Sequence, residues 1–490
     1  MGGSLVVAAS YNYMLTPMLD DLGLTEDQAS VALTIPGIGA LLIVFVAGRL
    51  GDRLGHRRVS VAMSAAFIVG AILVMVTQGL PLLTVGLLIA SIAATAIQII
   101  VIGLLSLTFP EGSARAAAFG TFGMVSPAIW LAVPVITGAV VVDHSWRWVP
   151  ALWAVAGLLM LLGARVFLPP ATSTGPLGEI RTPLAAGITV ALAVQALSRL
   201  SNSGISSPLT WIVFATTAAS GLWCLWLLRR GSTSFSLQPL KRLRPRSLLI
   251  VIVIIPMINT VFLMTMAFQY LYGLTVLETA LVMVPAQAAA VAGTRLIAAP
   301  LMRRYGIDRT AAVFFAVLAV SMLGAFFVTP TSPLWVPILY VTIYNLLTVS
   351  ASITVTSGVM MTQQDGEDGL IAAYRGSAVS VGCVLAVVVM NSLVFGLARL
   401  GMNAEFQESG LSESESEELM QQIQGSSTST AVVQEYAVPL PDGTDVSTVM
   451  VDSIANGLHV NGIAGSLLSI LSIVLILRSS RPRRKATAAA

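Results

Sequence analysis

Charge is what this sequence has least of. Only 10% of its 490 residues are Asp, Glu, Lys or Arg, against roughly a quarter in soluble globular domains, and a water-facing surface cannot be built from so few. The 56% of hydrophobic residues and the mean hydropathy of +0.87 therefore point to lipid-facing surface. Cysteine is nearly missing too. Cys224 and Cys383 stand in separate apolar segments, which excludes a disulfide framework and a cysteine-rich metal site. The three histidines, His56, His144 and His459, fall near expected membrane interfaces without a metal-ligand neighbour. No G-x-x-x-x-G-K-[ST] phosphate loop occurs, so nucleotide hydrolysis by this chain alone is not expected. No polar stretch is long enough for a catalytic domain, and nothing points to nucleic acid. Apolar sequence begins straight after Met1 with no charged region ahead of it, so no cleavable signal peptide is expected.

Apolar runs fill the rest. A helix needs about 20 apolar residues to cross a hydrocarbon core of about 30 Å. Such spans read near 2–19, 29–50, 59–77, 82–108, 117–142, 150–167, 184–200 and 208–228, then near 248–270, 280–301, 310–328, 334–361, 373–397 and 458–477. The expected fold class is an all-α integral membrane protein with 14 spans and both termini cytoplasmic. The charges test the count: with the N-terminus inside, 22 of the 26 basic residues fall in cytoplasmic loops and the tail. Only Arg147, Arg199 and Arg399 lie outside, and Arg295 falls within a span. This is the positive-inside asymmetry, and removing one span would reverse every later loop. Residues 399–457 stand apart, with no Lys or Arg after Arg399 and ten acidic residues from Glu405 to Asp452. They read as an acidic extracellular loop, with a lid or a collector of cationic solutes as the sharper alternative.

The link between the second and third spans reads Gly48-Arg-Leu50-Gly-Asp52-Arg53-Leu-Gly55-His-Arg57-Arg58. Gly48 and Gly55 permit a tight helix–loop–helix reversal. Asp52 at the membrane surface can pair with arginines and with the N-terminal dipole of a neighbouring helix, which would latch one state of a gate. A decayed copy follows between spans ten and eleven, Ala299-Pro-Leu301-Met-Arg303-Arg304-Tyr-Gly306, in which Arg303 takes the place of Asp52.

The complete loop resembles the signature G-x-L-x-D-R-x-G-x-[RK]-[RK] of the major facilitator superfamily. Two halves carrying copies of one loop, with spans seven and eight between them, resemble its fourteen-spanner drug:proton antiporter branch in a 6 + 2 + 6 arrangement. Residues 109–120, with Arg115, resemble that branch's link from span four to five. Ser145-Trp-Arg-Trp148, Pro239 to Ser247 and Tyr374 to Gly382 resemble further pieces of it. The domains implied are a six-helix bundle at 1–168, two inserted helices and a basic linker at 169–246, a second bundle at 247–477, and a basic tail at 478–490. The resemblance implies a multi-pass protein of a bacterial plasma (inner) membrane. It would act as a monomer, without a bound cofactor, exporting a small amphipathic or hydrophobic compound by alternating access on a proton gradient. Asp52, Arg53, Arg57, Arg58 and Arg115 would form its cytoplasmic gate. A lipid or lipid-like metabolite exporter on the same fold is the alternative, and a sensor or assembly protein without flux is the alternative of another class.

The sequence also departs from that branch. Of the branch's G-P-x-x-G-G motif in span five, only Pro134 and Gly138 are present. No acidic residue lies deep in a span, although an embedded carboxylate is the usual proton carrier and the usual counter-ion of a cationic drug. The deep polar residues chosen as cavity candidates are Asn12, Tyr13, Gln98, Asn259, Gln287, Asn345 and Arg295. Each is also readable as a helix–helix hydrogen bond. Arg295 has two readings of equal standing: it faces the cavity, where it would favour an anionic or zwitterionic group, or it snorkels to the cytoplasmic interface.

Overall fold

Without water, every backbone N–H and C=O must be satisfied within its own segment, and this chain meets the requirement with helices. A computed structural model describes residues 2–24, 26–109, 113–168, 180–203, 208–230, 238–258, 260–274, 276–362, 368–389, 406 and 446–480, among which no strand occurs.

The first eight helices are α1 (Gly2–Leu22), α2 (Glu26–Leu54), α3 (His56–Met75), α4 (Leu80–Thr108), α5 (Ser113–Asp143), α6 (Trp148–Phe167), α7 (Arg181–Ser203) and α8 (Pro208–Arg229). A short turn, α9 (Gln238–Lys241), leads into α10 (Leu243–Met257) and α11 (Val261–Tyr270). Then come α12 (Val276–Val282), α13 (Val284–Gly293), a π-helical turn (Thr294–Ala298) and α14 (Ala299–Tyr305). α15 (Ile307–Met322) runs into a 3-10 turn (Leu323–Phe327), and α16 (Trp335–Met360), α17 (Asp368–Val389) and α18 (Val446–Ser480) are the remaining helices among the described residues. Among the described residues, eight helical stretches are long and apolar enough to cross a membrane, among them His56–Met75, Leu80–Leu105 and Trp335–Met360.

Several expectations are corrected. The ninth span, read as one helix over 248–270, is two, because α10 stops one residue after Pro256. Proline cannot donate to the helix ladder, so the carbonyl of Ile252, one turn earlier, loses the bond that residue 256 would give it and the ladder is weakened just ahead of the break. The tenth span is interrupted at Met283 and again by the π-helical turn. The last helix begins at Val446, so the final turns of the supposed loop are helical and carry the exposed Asp452 in a helix. Arg375, counted among loop charges, sits in α17 instead.

The packing repeats. In the first half α1 packs on α5, α2 on α4, and α3 on both α4 and α6. In the second, α10 packs on α17, α13 on α16, and α15 on both α16 and α18. Small residues allow the close crossings: a Cβ on Gly70 would lie 2.7 Å from the backbone nitrogen of Ala90, and one on Gly462 would lie 2.8 Å from the carbonyl oxygen of Met322. Two seams join the halves, one between α2 and α17 and one between α5 and α13 with the π-helical turn and α14. α7 and α8 pair with each other, and α7 lies against both α2 and α17.

Candidate functional site

Three groups of residues give this fold its chemistry: the loop at Gly55, a buried polar cluster in the second half, and two arginines within helices, one sealed and one exposed.

The loop between α2 and α3 is a single residue. Gly55, at φ 89° and ψ 131°, ends α2 and caps α3. Gly306 does the same between α14 and α15 at φ 78° and ψ 167°. Non-glycine residues rarely adopt this left-handed region. In each loop the glycine carbonyl accepts the first hydrogen bond of the next helix, from Val59 N–H and Thr310 N–H respectively, both at 3.2 Å. The decayed copy thus keeps the backbone device while losing the acidic residue. Gly48, expected to help the reversal, lies inside α2, so the turn rests on Gly55. Arg53 stands in the last turn of α2, and Arg53 and Arg57 are half-buried while Arg58 is exposed. Leu50 lines a shallow crevice with Val46, Arg49, Ile180 and Pro183. The side chains of Asp52 and Arg115 lie outside the described residues, although their backbones are helical. In the second half, Arg244 pairs with Asp308 at 3.2 Å across the starts of α10 and α15.

The break between α10 and α11 organises the buried cluster. The Thr260 N–H donates to Tyr344 Oη at 3.3 Å, and Asn461 Nδ2 donates to Thr260 Oγ1 at 2.9 Å. Thr260 Oγ1 in turn reaches the carbonyl of Ile258 at 3.2 Å. One turn away, the buried Tyr340 hydroxyl has no hydrogen-bond partner among the described residues. Nearby, Asn345 Nδ2 donates to the carbonyl of Ala286 at 3.0 Å and to Gln287 Oε1 at 3.2 Å. Of the residues chosen from the sequence, Gln287 and Asn345 are therefore brought together. Asn259 and the side chains of Asn12 and Tyr13 lie outside the described residues, and Gln98 is half-buried in α4. Thr260 and Asn461 escaped sequence reasoning. The signal was available in Pro256 followed by polar residues in mid-span.

Pro134 is buried in α5, whereas Gly138 has open space where a Cβ would go, so no close helix contact explains that glycine. Arg375 stands beside Tyr374, which meets Phe45 of α2 edge to face at 5.6 Å, and beside Gly376, which lies against Val44 and Ile99. Its Nε is sealed from solvent without a hydrogen-bond partner among the described residues. Arg295 is exposed in the π-helical turn.

At the end of the bundle away from Gly55, Arg147 ties three helices together. Its guanidinium pairs with Asp21 at 2.9 Å and donates to the carbonyls of Met75 at 3.1 Å and Thr77 at 2.6 Å. Trp146 Nε1 adds a bond to Asp21 at 3.0 Å.

The family model that matches residues 2–387 is that of the Major Facilitator Superfamily. The chain belongs to this superfamily. It is a multi-pass membrane protein, and its relatives include drug and antibiotic resistance and efflux proteins beside others named only as uncharacterized MFS-type transporters. The puromycin resistance protein of Streptomyces alboniger is 26% identical over 404 residues, 79% of this chain and 78% of that one. The tetracenomycin C resistance and export protein of Streptomyces glaucescens is 23% identical over 370 residues, 72% and 66% of the two chains. A shorter match, 31% over 153 residues, joins 30% of this chain to an uncharacterized MFS-type transporter of Mycobacterium tuberculosis, and spans only 22% of that relative's length. Among solved structures, the human organic anion transporter MFSD10 superposes with a TM-score of 0.62 at 12% identity, covering 97% of each chain. The proton:xylose symporter XylE superposes at 0.56 with 12% identity, covering 97% of this chain and 93% of that one. These superpositions establish the fold of this superfamily member.

Proposed function

We propose that this superfamily member is a secondary active exporter of small amphipathic or hydrophobic compounds. It works by alternating access and draws on a proton gradient in a bacterial plasma membrane. The observation that carries the reading is the matched packing of the two halves: α1·α5 answers to α10·α17, α2·α4 to α13·α16, and α3·α6 to α15·α18. Internal repeats that rock against each other around a central site are the structural basis of alternating access. The names of the efflux relatives support drug-like cargo. In this reading the chain has 14 spans in a 6 + 2 + 6 arrangement with both termini cytoplasmic. The α7–α8 pair is the insertion, and residues 399–445 form an outer loop.

The gate is assigned to the loop around Gly55. Asp52 lies two residues before the end of α2, and α2 packs along α17, whose first residue is Asp368. The N-terminal end of a helix attracts negative charge, so Asp52 beside the start of α17, with Arg53, Arg57, Arg58 and Arg115 around it, would hold the cytoplasmic side closed. The cavity is assigned to the space around Gln287, Asn345 and the break at Thr260. Export of lipid-like metabolites is the second reading, favoured by the lack of any deep carboxylate for a cationic drug.

The test is efflux from vesicles reconstituted with the full chain, run over a panel of amphipathic probes with and without a pH gradient. Transport of at least one probe that slows when the gradient is collapsed is expected, together with loss of net transport in Asp52→Asn. Efflux indifferent to the gradient would refute proton coupling, and an unimpaired Asp52→Asn would refute the gate.

A further inference from the structure

The two seams between the halves are not equivalent. At the first, the α7–α8 pair stands between α2/α17 and the membrane. A Cβ on Gly187 of α7 would lie 2.8 Å from the carbonyl oxygen of Leu41 and 2.9 Å from that of Leu42, so α7 meets α2 backbone to backbone. Cys224 and Leu227 of α8 belong to the same core as Phe45 and Tyr374, which come from either side of the seam. The far face of α8 is exposed and apolar, with Trp211, Ile212, Leu222 and Trp226 turned away from the protein. Lipid therefore meets the hairpin, not the seam behind it.

The second seam, between α5 and the run from α13 through the π-helical turn to α14, has no inserted pair against it: among the described residues the further helices that touch both of its sides are α12, which leads into α13, and α16, the counterpart of α4 at the first seam. Its α5 side offers exposed Val135 and Ile136. Its other side carries a change of register. The buried line of α13 runs through Ala286, Ala290 and Gly293 and resumes five residues on at Ala298, while Ile297, next on an uninterrupted α-helical line from Gly293, is exposed. Single π-turns of this kind concentrate at functional sites. Here the turn holds Arg295 exposed between an α-helix and the seam, with no hydrogen bond or ion pair to a described residue, beside Leu296 at 70% exposure. Ten residues separate Arg295 from Tyr305, the end of α14, about 15 Å at 1.5 Å per residue. That is within the inner half of a core about 30 Å thick. A guanidinium exposed at that depth is costly unless an anion meets it.

We infer that Arg295 receives the anionic head of a transported amphiphile, which enters from the inner leaflet through the α5–α13 seam while the α7–α8 hairpin keeps the opposite seam shut. A carboxylate, sulfate or phosphate suits the planar fork of a guanidinium, and the apolar body lies along Val135, Ile136, Leu296 and Ile297. The inference rests on the exporter reading and narrows its cargo to anionic amphiphiles.

The experiment uses the full chain in phosphatidylcholine vesicles and nanodiscs with two fluorescent probes of one apolar body, a carboxylate and its methyl ester. Binding is read by anisotropy and translocation by efflux. For Arg295→Gln, the carboxylate should bind and move with a Kd and KM raised about tenfold or more, the scale of one charge-assisted hydrogen bond. The ester should be unchanged. Arg295→Lys should restore most of the carboxylate affinity, and Arg230→Gln on the covered side should leave both probes unaffected. Equal losses for both probes, or no loss for either, overturn the assignment. So does an Arg295→Gln defect that appears only when phosphatidylglycerol is added, because Arg295 would then serve surrounding lipid. If the wild type binds the carboxylate through Arg295 yet moves neither probe, the exporter reading fails and the site stands; if it does not bind the carboxylate, the site fails.

Discussion

Two tyrosines one helical turn apart offer a matched pair of perturbations. Tyr344→Phe and Tyr340→Phe remove the same atom from the same helix, both at buried positions. In the first case the lost hydroxyl is the acceptor of the Thr260 N–H at the break between α10 and α11. In the second it is a hydroxyl with no hydrogen-bond partner among the described residues. Orphaning a buried donor costs about 1–3 kcal/mol, whereas removing an unpaired polar atom is close to neutral or favourable. At 1.4 kcal/mol per factor of ten, Tyr344→Phe should raise the opening equilibrium of the break about 5- to 150-fold. Hydrogen–deuterium exchange of the peptide covering residues 258–264, in detergent or nanodiscs, reads that equilibrium directly. The expectation is faster exchange in Tyr344→Phe and exchange within about twofold of wild type in Tyr340→Phe. Equal acceleration in both, or a larger effect at Tyr340, would refute the claim that the hydroxyl of Tyr344 holds the broken helix together.

Gly55→Ala and Gly306→Ala should each lower the thermal stability of the purified protein, by about 1–3 kcal/mol for a side chain forced into this backbone region. Gly138→Ala, with open space at its Cβ, should instead be neutral or stabilising by up to about 1 kcal/mol through helix propensity. A thermal shift ranking Gly138→Ala as the most harmful of the three would contradict the packing. Arg147→Ala should destabilise more than Asp21→Asn, since the half-exposed ion pair is worth about 0–1 kcal/mol while the arginine also serves two carbonyls at the end of α3. A double-mutant cycle in which the ion pair accounts for the whole Arg147 effect would reverse that ranking. Gly382→Ala should disrupt folding, because its Cβ would run into the backbone of Val253 and the ring of Pro256; an unchanged yield of monodisperse protein would show that α10 and α17 can spread.

The helices were legible because lipid imposes one rule along the whole chain, and long apolar runs have few ways to obey it. The two glycine loops were legible for a related reason: a residue with positive φ leaves its mark as an invariant letter in an otherwise decayed repeat. What escaped was the interior of the spans. Pro256 was visible as a proline, but whether a helix bends or breaks there depends on Tyr344 and Asn461, which lie 84 and 201 residues from Thr260 in sequence. Arg375 was read as one more loop charge because its helix begins earlier than the apolar run does. The covered seam could not be foreseen either, since hydropathy says that α7 and α8 are apolar and nothing about which neighbours they choose.

A joint of one residue also constrains motion. With only Gly55 between them, α2 and α3 form a bell-crank: a tilt of α2 against α17 cannot be absorbed in slack chain and passes into α3, and so into α6 packed behind it. Gly306 couples α14 to α15 and α18 in the same way. A disturbance felt at the Gly55 end of one seam helix is thus delivered to the far end of its bundle, where Arg147 binds the end of α3 to α1.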